Sequence, residues 1–246
     1  MRKIKLNTII EGDCLEIMPS IPDKSIDMVL ADLPYGTTAC KWDTIIPFEP
    51  LWEQYKRIIK DNGAIVLTAS QPFTSALVMS NIKMFKYEWI WDKRLPSGFQ
   101  IAKYRPMQRH ENVVVFSDGT PKYYPIMTEQ KPRKGGGFKV SSSSSPIKNV
   151  DGELRDYTEK YPQSILEFYK RDKGTTHPTQ KPVALFEYLI KTYTNEGDTV
   201  LDNVIGSGTT AIACINLKRN FIGIEKEHDY VEIARNRINS LQTKLL

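Results

Sequence analysis

The chain has 246 residues, of which 40% are apolar, 26% charged and 10% aromatic, a composition that buries a core and fits one large α/β domain or one and a half. It excludes disorder for most of the chain, collagen-like repetition and a disulfide-stapled class, since the three cysteines (Cys14, Cys40, Cys214) lie far apart with no CxxC pair and indicate neither a disulfide framework nor a zinc site. The net charge of +5 is unevenly spread: residues 92–150 hold 11 Lys or Arg against 4 Asp or Glu, the remainder 23 against 25, a bias that suits either a solvated face or a polyanion such as nucleic acid.

Apolar runs such as residues 64–67 and 113–116 are far short of a membrane span, and the N-terminal residues turn polar too soon for a secretory signal. The expectation is a cytoplasmic protein with no membrane partner. Residues 7–11 read as a strand ending in Gly12-Asp13, and 14–20 as a short helical turn stopped by Pro19 and Pro22. Residues 25–31 are a continuous apolar run of strand length, which gives way to Asp32-Leu33-Pro34-Tyr35-Gly36. Helical spacing over 48–60, closed by Asn62-Gly63, precedes a buried strand at 64–68; a helix over 72–81 and a strand over 85–91 follow. This is the βαβ rhythm of a parallel sheet with helices on both faces.

Past Trp91 the rhythm lapses, apart from a strand at 112–116. Residues 117–176 carry Gly135-Gly136-Gly137, five serines at 141–145 and scattered prolines and lysines, too little apolar matter for a packed core of their own. From Pro182 the rhythm returns: a helix to residue 193, a strand at 199–202, the Gly206-Ser207-Gly208 loop, a helix over 209–217, a strand at 221–224 and an amphipathic helix over 229–241. The expected organisation is therefore two halves of one domain, residues 1–116 and 177–246, separated by a basic, partly mobile insert at 117–176.

Three constellations carry chemistry. In the first, Asp202 ends a strand and Asn203 to Gly208 lead into a helix, with Glu225 ending the next strand, 19 residues after Gly206. Glycines let backbone approach a nucleotide cofactor, and an acid about 20 residues on holds a ribose hydroxyl pair. GSGTTA also satisfies GxGxxA, so a nicotinamide enzyme competes. Only about 40 residues follow the loop, however, so the remaining strands must come from the N-terminal half and the order is permuted. In the second, Asp32-Leu33-Pro34-Tyr35 sits at the carboxyl end of a buried strand, where acceptors and an aromatic ring suit a planar group bearing an NH2. Taken alone it also reads as a strand-end turn. The third, Thr176-His177-Pro178-Thr179-Gln180-Lys181-Pro182, opens a helix, with Pro182 near its first position; His177 has no metal-ligand spacing to His110 or His228.

In that order, ADLPYG, HPTQKP and DNxxGSGTT resemble the amino-group DNA methyltransferases dependent on S-adenosylmethionine, of the β-type motif order, over residues 7–116 and 176–238. The resemblance implies a Rossmann-like sheet in permuted order, with a target-recognition insert that binds DNA. It places Asp32, Leu33, Pro34 and Tyr35 on the catalytic motif, and Asp202, Asn203, Gly206, Ser207, Gly208, Thr209 and Thr210 on the cofactor loop. It makes Glu225 the ribose-holding acid, puts Asp13 and Cys14 beside the cofactor's adenine, and sets His177, Thr179, Gln180 and Lys181 along its methionine end. Leu33 replaces the family's usual first proline, and Asn203-Val204-Ile205 its usual P-F-x. The implied reaction is methylation of adenine N6 in double-stranded DNA with the base flipped out, in a restriction–modification setting and in a possible homodimer. An aspartate opening the tetrapeptide resembles the adenine enzymes more than the cytosine-N4 ones; the latter, or an RNA or protein-amide methyltransferase, are the alternatives.

Overall fold

The computed structural model describes residues 4–38, 40, 43–135, 155–169 and 180–245. In chain order these form β1 (Thr8–Glu11), α1 (Cys14–Ile17), β2 (Ile26–Ala31), α2 (Phe48–Ile58), β3 (Ile59–Ala69), α3 (Phe73–Ser80), β4 (Phe85–Ser97) and β5 (Gln108–Phe116). There follow β6 (Thr128–Gly135), β7 (Arg155–Lys160), β8 (Ile165–Glu167), α4 (Val183–Tyr193), β9 (Thr199–Asp202), α5 (Thr209–Asn216), β10 (Asn220–Glu225) and α6 (His228–Leu245). Two compact units result: Met1–Tyr124 with Ser164–Leu246, and Pro125–Gln163.

The larger unit is built on an eight-stranded sheet in the order β1-β10-β9-β2-β3-β5-β4-β8. From β1 to β3 all pairings are parallel, and in this half every strand meets helices on both faces. Alternate residues of each strand feed two separate cores. Met28, Leu30, Val66 and Val200 pack with α4, α5 and α6, while Val29, Ala31, Leu67 and Leu201 pack with α1, α2 and α3. That two-sided burial is why these strands read as unbroken apolar runs.

The other half departs from the expected parallel rhythm. β5 is antiparallel to both β3 and β4, so the sheet is mixed. The chain leaves β3 through α3, runs out along β4 and returns beside it as β5, and a hairpin return can only be antiparallel. β4 also continues past Trp91 to Ser97, where alternation is hidden by polar residues that pair across the ribbon, Asp92 with Arg109 at 2.7 Å. The chain enters β3 at Ile59 instead of at residue 64, because buried Ile59 already pairs with Ile26 and the irregularity at Asn62, in the left-handed region at φ 59°, is absorbed as a bulge.

Within the stretch read as an insert, residues 117–124 and β8 belong to the larger unit, with β8 lying parallel against β4. The smaller unit holds β6 and β7 as a two-stranded antiparallel ribbon, exposed along most of its length. Among the described residues no helix is long and apolar enough to cross a membrane.

Candidate active site

Strands β1, β10, β9 and β2 run in one direction, so their carboxyl ends share one edge of the sheet. The chain winds from β9 to β10 on one side and from β2 to β3 on the other; the crevice where winding reverses is where open α/β sheets take ligands. A cavity of about 440 Å³ opens there, a size suited to a cofactor or drug-sized molecule. Its wall includes Asp13, Cys14, Asp32, Leu33, Pro34, Tyr35, Gln180, Lys181, Asp202, Asn203, Gly206, Ser207, Thr209, Thr210 and Glu225. Residues from three distant stretches thus meet in one place. Gly208 stands just behind the wall at φ +85°, where an added Cβ would lie 3.0 Å from Ala234 Cβ, so a side chain is excluded both by backbone and by α6. His177 and Thr179 lie outside the described residues.

On the β9–β10 side the carboxylates are held by neutral donors. The Thr210 hydroxyl donates to Asp202 Oδ2, and the Val204 amide to Oδ1 at 3.1 Å. Burial drives the Asp202 pKa up to about 7, against those hydrogen bonds. The amides of Gly206 and Glu227 each donate to the Glu225 carboxylate at 2.8 Å, which fastens the glycine loop to the end of β10; burial raises this pKa too. The Asp13 carboxylate caps α1 by accepting from the Leu15 amide at 2.9 Å. Burial likewise pushes up the Cys14 thiol. Asn203 accepts the Tyr55 hydroxyl at 2.5 Å, while its buried Nδ2 has no hydrogen-bond partner among the described residues. An orphan donor at a cavity wall is a place for a polar ligand atom.

The β2 side is charged and paired. The Tyr35 hydroxyl donates to Asp32 Oδ1 at 2.7 Å and the Thr68 hydroxyl donates to the same oxygen. Lys181 Nζ lies 2.8 Å from Asp32 Oδ2 and 3.2 Å from Glu111 Oε2, and Lys93 reaches Glu111 Oε1 at 3.3 Å. Burial works against the Lys181 ammonium, yet Asp32, Tyr35 and Glu111 outweigh it and hold its pKa well above the ordinary lysine value. Burial alone would raise Glu111, but Lys181 and Lys93 hold it low. The Tyr35 ring stacks on Phe73 (centroids 5.2 Å, planes 24° apart), and Lys181 Nζ sits 5.6 Å from its centroid.

Sequence reasoning missed four members of this network: Thr68, Lys93, Glu111 and Asp43. Asp43 draws the amides of Gly36, Thr37 and Thr38 onto its carboxylate at 2.7–2.9 Å, which holds Thr37, Thr38 and Asp43 together on the cavity wall. Burial opposes its charge, but those donors lower its pKa overall. An acid five residues beyond a Gly-Thr-Thr turn is the local signal that could have found it. The other three act across 18 to 70 residues of sequence and carry no local mark. Among the described residues no group of three His, Cys, Asp or Glu is placed to hold a metal ion.

This arrangement offers acceptors beside an aromatic ring on one wall and a glycine turn with buried acids on the other. A family model described as DNA methylase (N6_N4_Mtase) matches residues 26–236. The Type II methyltransferase M.HpaI of Haemophilus parainfluenzae is 28% identical over 249 residues, 94% of this chain and 74% of that one. The crystal structure of the M1.HpyAVI–SAM complex superposes with a TM-score of 0.62 at 27% identity, covering 94% of this chain and 98% of the other. The PvuII DNA methyltransferase (cytosine-N4-specific) shares the fold at a TM-score of 0.68 and 19% identity, covering 93% and 85%.

Proposed function

The chain belongs to the N6/N4 family of DNA methylases, and from that premise we propose that it is a site-specific methyltransferase that moves a methyl group from S-adenosylmethionine to the exocyclic N6 amine of adenine in double-stranded DNA, the target base being flipped out of the stack. One observation carries this reading: Asp32-Leu33-Pro34-Tyr35 and the Asp202–Gly208 loop end adjacent parallel strands and face one cavity. Adenine is favoured over cytosine by the aspartate that opens the tetrapeptide.

The residues present fit the cofactor. The orphan Asn203 Nδ2 supplies a donor, buried Asp202 and Glu225 lack cation partners among the described residues, and Gly206 lines the cavity in the left-handed region at φ +52°. Glu225, Asp202, Asn203, Ser207, Thr209, Thr210, Asp13, Cys14 and Gln180 would hold it, with Gly206 and Gly208 shaping the loop, and with His177 and Thr179 as the resemblance has them. When bound, it supplies an electrophilic methyl group on a sulfonium.

The chain's own work lies at the amine. Asp32 and the Leu33 carbonyl accept the two N–H hydrogens, which turns the nitrogen lone pair out of conjugation with the ring and toward the methyl. One face of Tyr35 is taken by Phe73, so the base would stack on the other. The N–C bond would form as the methyl–sulfur bond breaks and leaves a neutral thioether; the nitrogen sheds a proton, and the Asp32 carboxylate is its acceptor. Lys181 already stands at 2.8 Å from Oδ2, so the amine must share or displace that contact. Rate then comes from positioning and electrostatics, with no covalent protein intermediate.

The test is a nucleoside assay. The purified protein, labelled S-adenosylmethionine and unmethylated genomic DNA are incubated, and the DNA is digested and resolved by mass spectrometry. N6-methyldeoxyadenosine is the expected product. N4-methyldeoxycytidine would keep the mechanism and overturn the base, and cofactor binding without labelled DNA would move the reading to RNA or a protein amide. We further propose that the smaller unit carries DNA affinity: reversing Arg133 and Lys134 in β6 should weaken binding and flatten its salt dependence by about one unit of slope per lost phosphate contact.

A further inference from the structure

Among the described residues of the larger unit, the connection between β4 and β5, residues 98–107, holds the two most exposed aromatic side chains. Phe99 is 80% exposed and Tyr104 88%, and Leu95 near the end of β4 is 59% exposed. The connection is nonetheless an ordered turn. Gly98 takes the left-handed region at φ +92°, a single helical turn follows over Phe99–Ile101, and the amides of Tyr104 and Arg105 close onto Ile101 O at 3.0 and 3.2 Å. At its base Ser97 pairs with Gln108, and Gln108 Nε2 donates to Ser70 Oγ at 2.8 Å, anchoring the hairpin to the carboxyl end of β3.

Position gives these residues their meaning. β5 runs antiparallel to β3, so its beginning points past the same edge where Asp32 lies. Glu111, three residues into the strand from Gln108, shares Lys181 with Asp32. At about 3.3 Å per residue the tip therefore starts roughly 10 Å beyond that level and extends further. A flipped base stays tethered to its duplex by one nucleotide, so the stack that supplied it lies outward of the Asp32 pocket, on the side where the tip projects.

The chemistry agrees. Residues 93–109 contain five Lys or Arg and no Asp or Glu. Arg94 is taken by Glu167, Arg109 by Asp92 and Lys93 by Glu111, whereas Lys103 and Arg105, on either side of Tyr104, have no acidic partner among the described residues. Two exposed aromatics, one of them set between cations without an acidic partner among the described residues, at the outer end of an anchored hairpin are equipped to stack on bases and pair with phosphates. A second copy of this chain would bring like charges together.

We propose that this hairpin tip enters the DNA beside the target base, with Phe99 and Tyr104 stacking in the space that the flipped nucleotide leaves and Lys103 and Arg105 on the flanking phosphates. The inference rests on the methyl-transfer reading above for the position of the duplex. Filling the vacated space offsets part of the unstacking cost, which is how apolar wedges work in other DNA-bending proteins.

The experiment uses the full chain and two readouts. Unmethylated DNA carrying 5-iodouracil in place of thymine is photocrosslinked to the protein and the adducts mapped by peptide mass spectrometry; the expected adducts fall on Phe99 or Tyr104. Phe99→Ala and Tyr104→Ala should each lower single-turnover methyl transfer to genomic DNA by roughly tenfold or more, with cofactor binding by calorimetry unchanged, which shows that the variants fold. Adducts confined to other segments, or transfer within twofold of the parent, overturn the proposal. So does a dimer in sedimentation that Tyr104→Ala dissociates, because the tip would then be a self-interface. If the parent protein moves no methyl group to DNA, the methyl-transfer reading fails, while the crosslink map still decides whether the tip stacks on bases.

Discussion

Two pairs of carboxylates stand on opposite sides of the same crevice and are compensated by different means. Asp202 and Glu225, at the ends of β9 and β10, have only hydroxyl and amide donors, and burial pushes both pKa values up. Asp32 and Glu111, on the side of β2 and β5, share the ammonium of Lys181, and Glu111 has Lys93 besides. The first pair waits for a positive or hydroxylic ligand to complete it. The second carries its counter-charge within the chain and is geometrically set before any substrate arrives. A site that binds one partner by charge and acts on another by position needs both arrangements.

The two pairs separate most clearly at Asp32. Asp32→Ala should lower methyl incorporation into DNA by at least about a hundredfold, the scale seen when a positioned polar group is removed from an active site. Binding of S-adenosylmethionine by calorimetry should stay within a few-fold of the parent, because the cofactor is assigned to the other pair. Loss of both would make Asp32 a structural residue for the whole crevice.

Lys181 should matter more for stability than for binding. Lys181→Met leaves the largely buried Glu111 with Lys93 alone and Asp32 with hydroxyl donors only; breaking such a pair from one side costs about 3 kcal/mol. Urea denaturation at pH 7 reads it. Adding Glu111→Gln should recover much of the loss, since the uncompensated charge goes with it. Glu111 is lower in the folded protein than its ordinary value near 4.5, so its contribution is present above that pH and fades as the pH falls through the folded value. The acid limb of the stability curve should therefore be shallower in Glu111→Gln.

Asp202 should show the opposite sign. Its folded pKa of about 7 lies above the ordinary 3.8, so between these values the folded state holds a proton that the unfolded state has released. Stability of the ligand-free protein thus falls as the pH rises from about 4 to about 7, by no more than about 1.4 kcal/mol per pH unit from this one group. Asp202→Asn removes that slope. A parent and variant with parallel stability curves over this range would show that the aspartate is not held neutral by burial.

The same contrast separates what the sequence made legible from what it hid. β2, β9, β10 and the core of β3 were readable because strands buried on both faces must be apolar throughout, and Asp32 and Asp202 were readable as acids at the ends of such runs. β6 and β7 were not, because TEQKPRKG and RDYTEK form an exposed ribbon with no apolar face to leave a pattern. β8 is only three residues long and sits at an edge. The glycine loop could be placed from its spacing alone, whereas the Lys93–Glu111–Lys181–Asp32 chain depends on an antiparallel hairpin that brings β5 beside β3, which no local signal announces.

The finest distinction concerns Tyr35, whose ring and hydroxyl do different things. Tyr35→Phe keeps the stack on Phe73 and removes one of the two hydroxyls that donate to Asp32 Oδ1, leaving Thr68 as the other. A net hydrogen bond of about 1 kcal/mol translates into a loss of roughly fivefold in kcat, with KM for DNA little changed. Tyr35→Ala removes the stacking surface as well and should raise KM in addition. If the two variants were equally impaired, the ring would contribute nothing to holding the base, and Tyr35 would act through Asp32 alone.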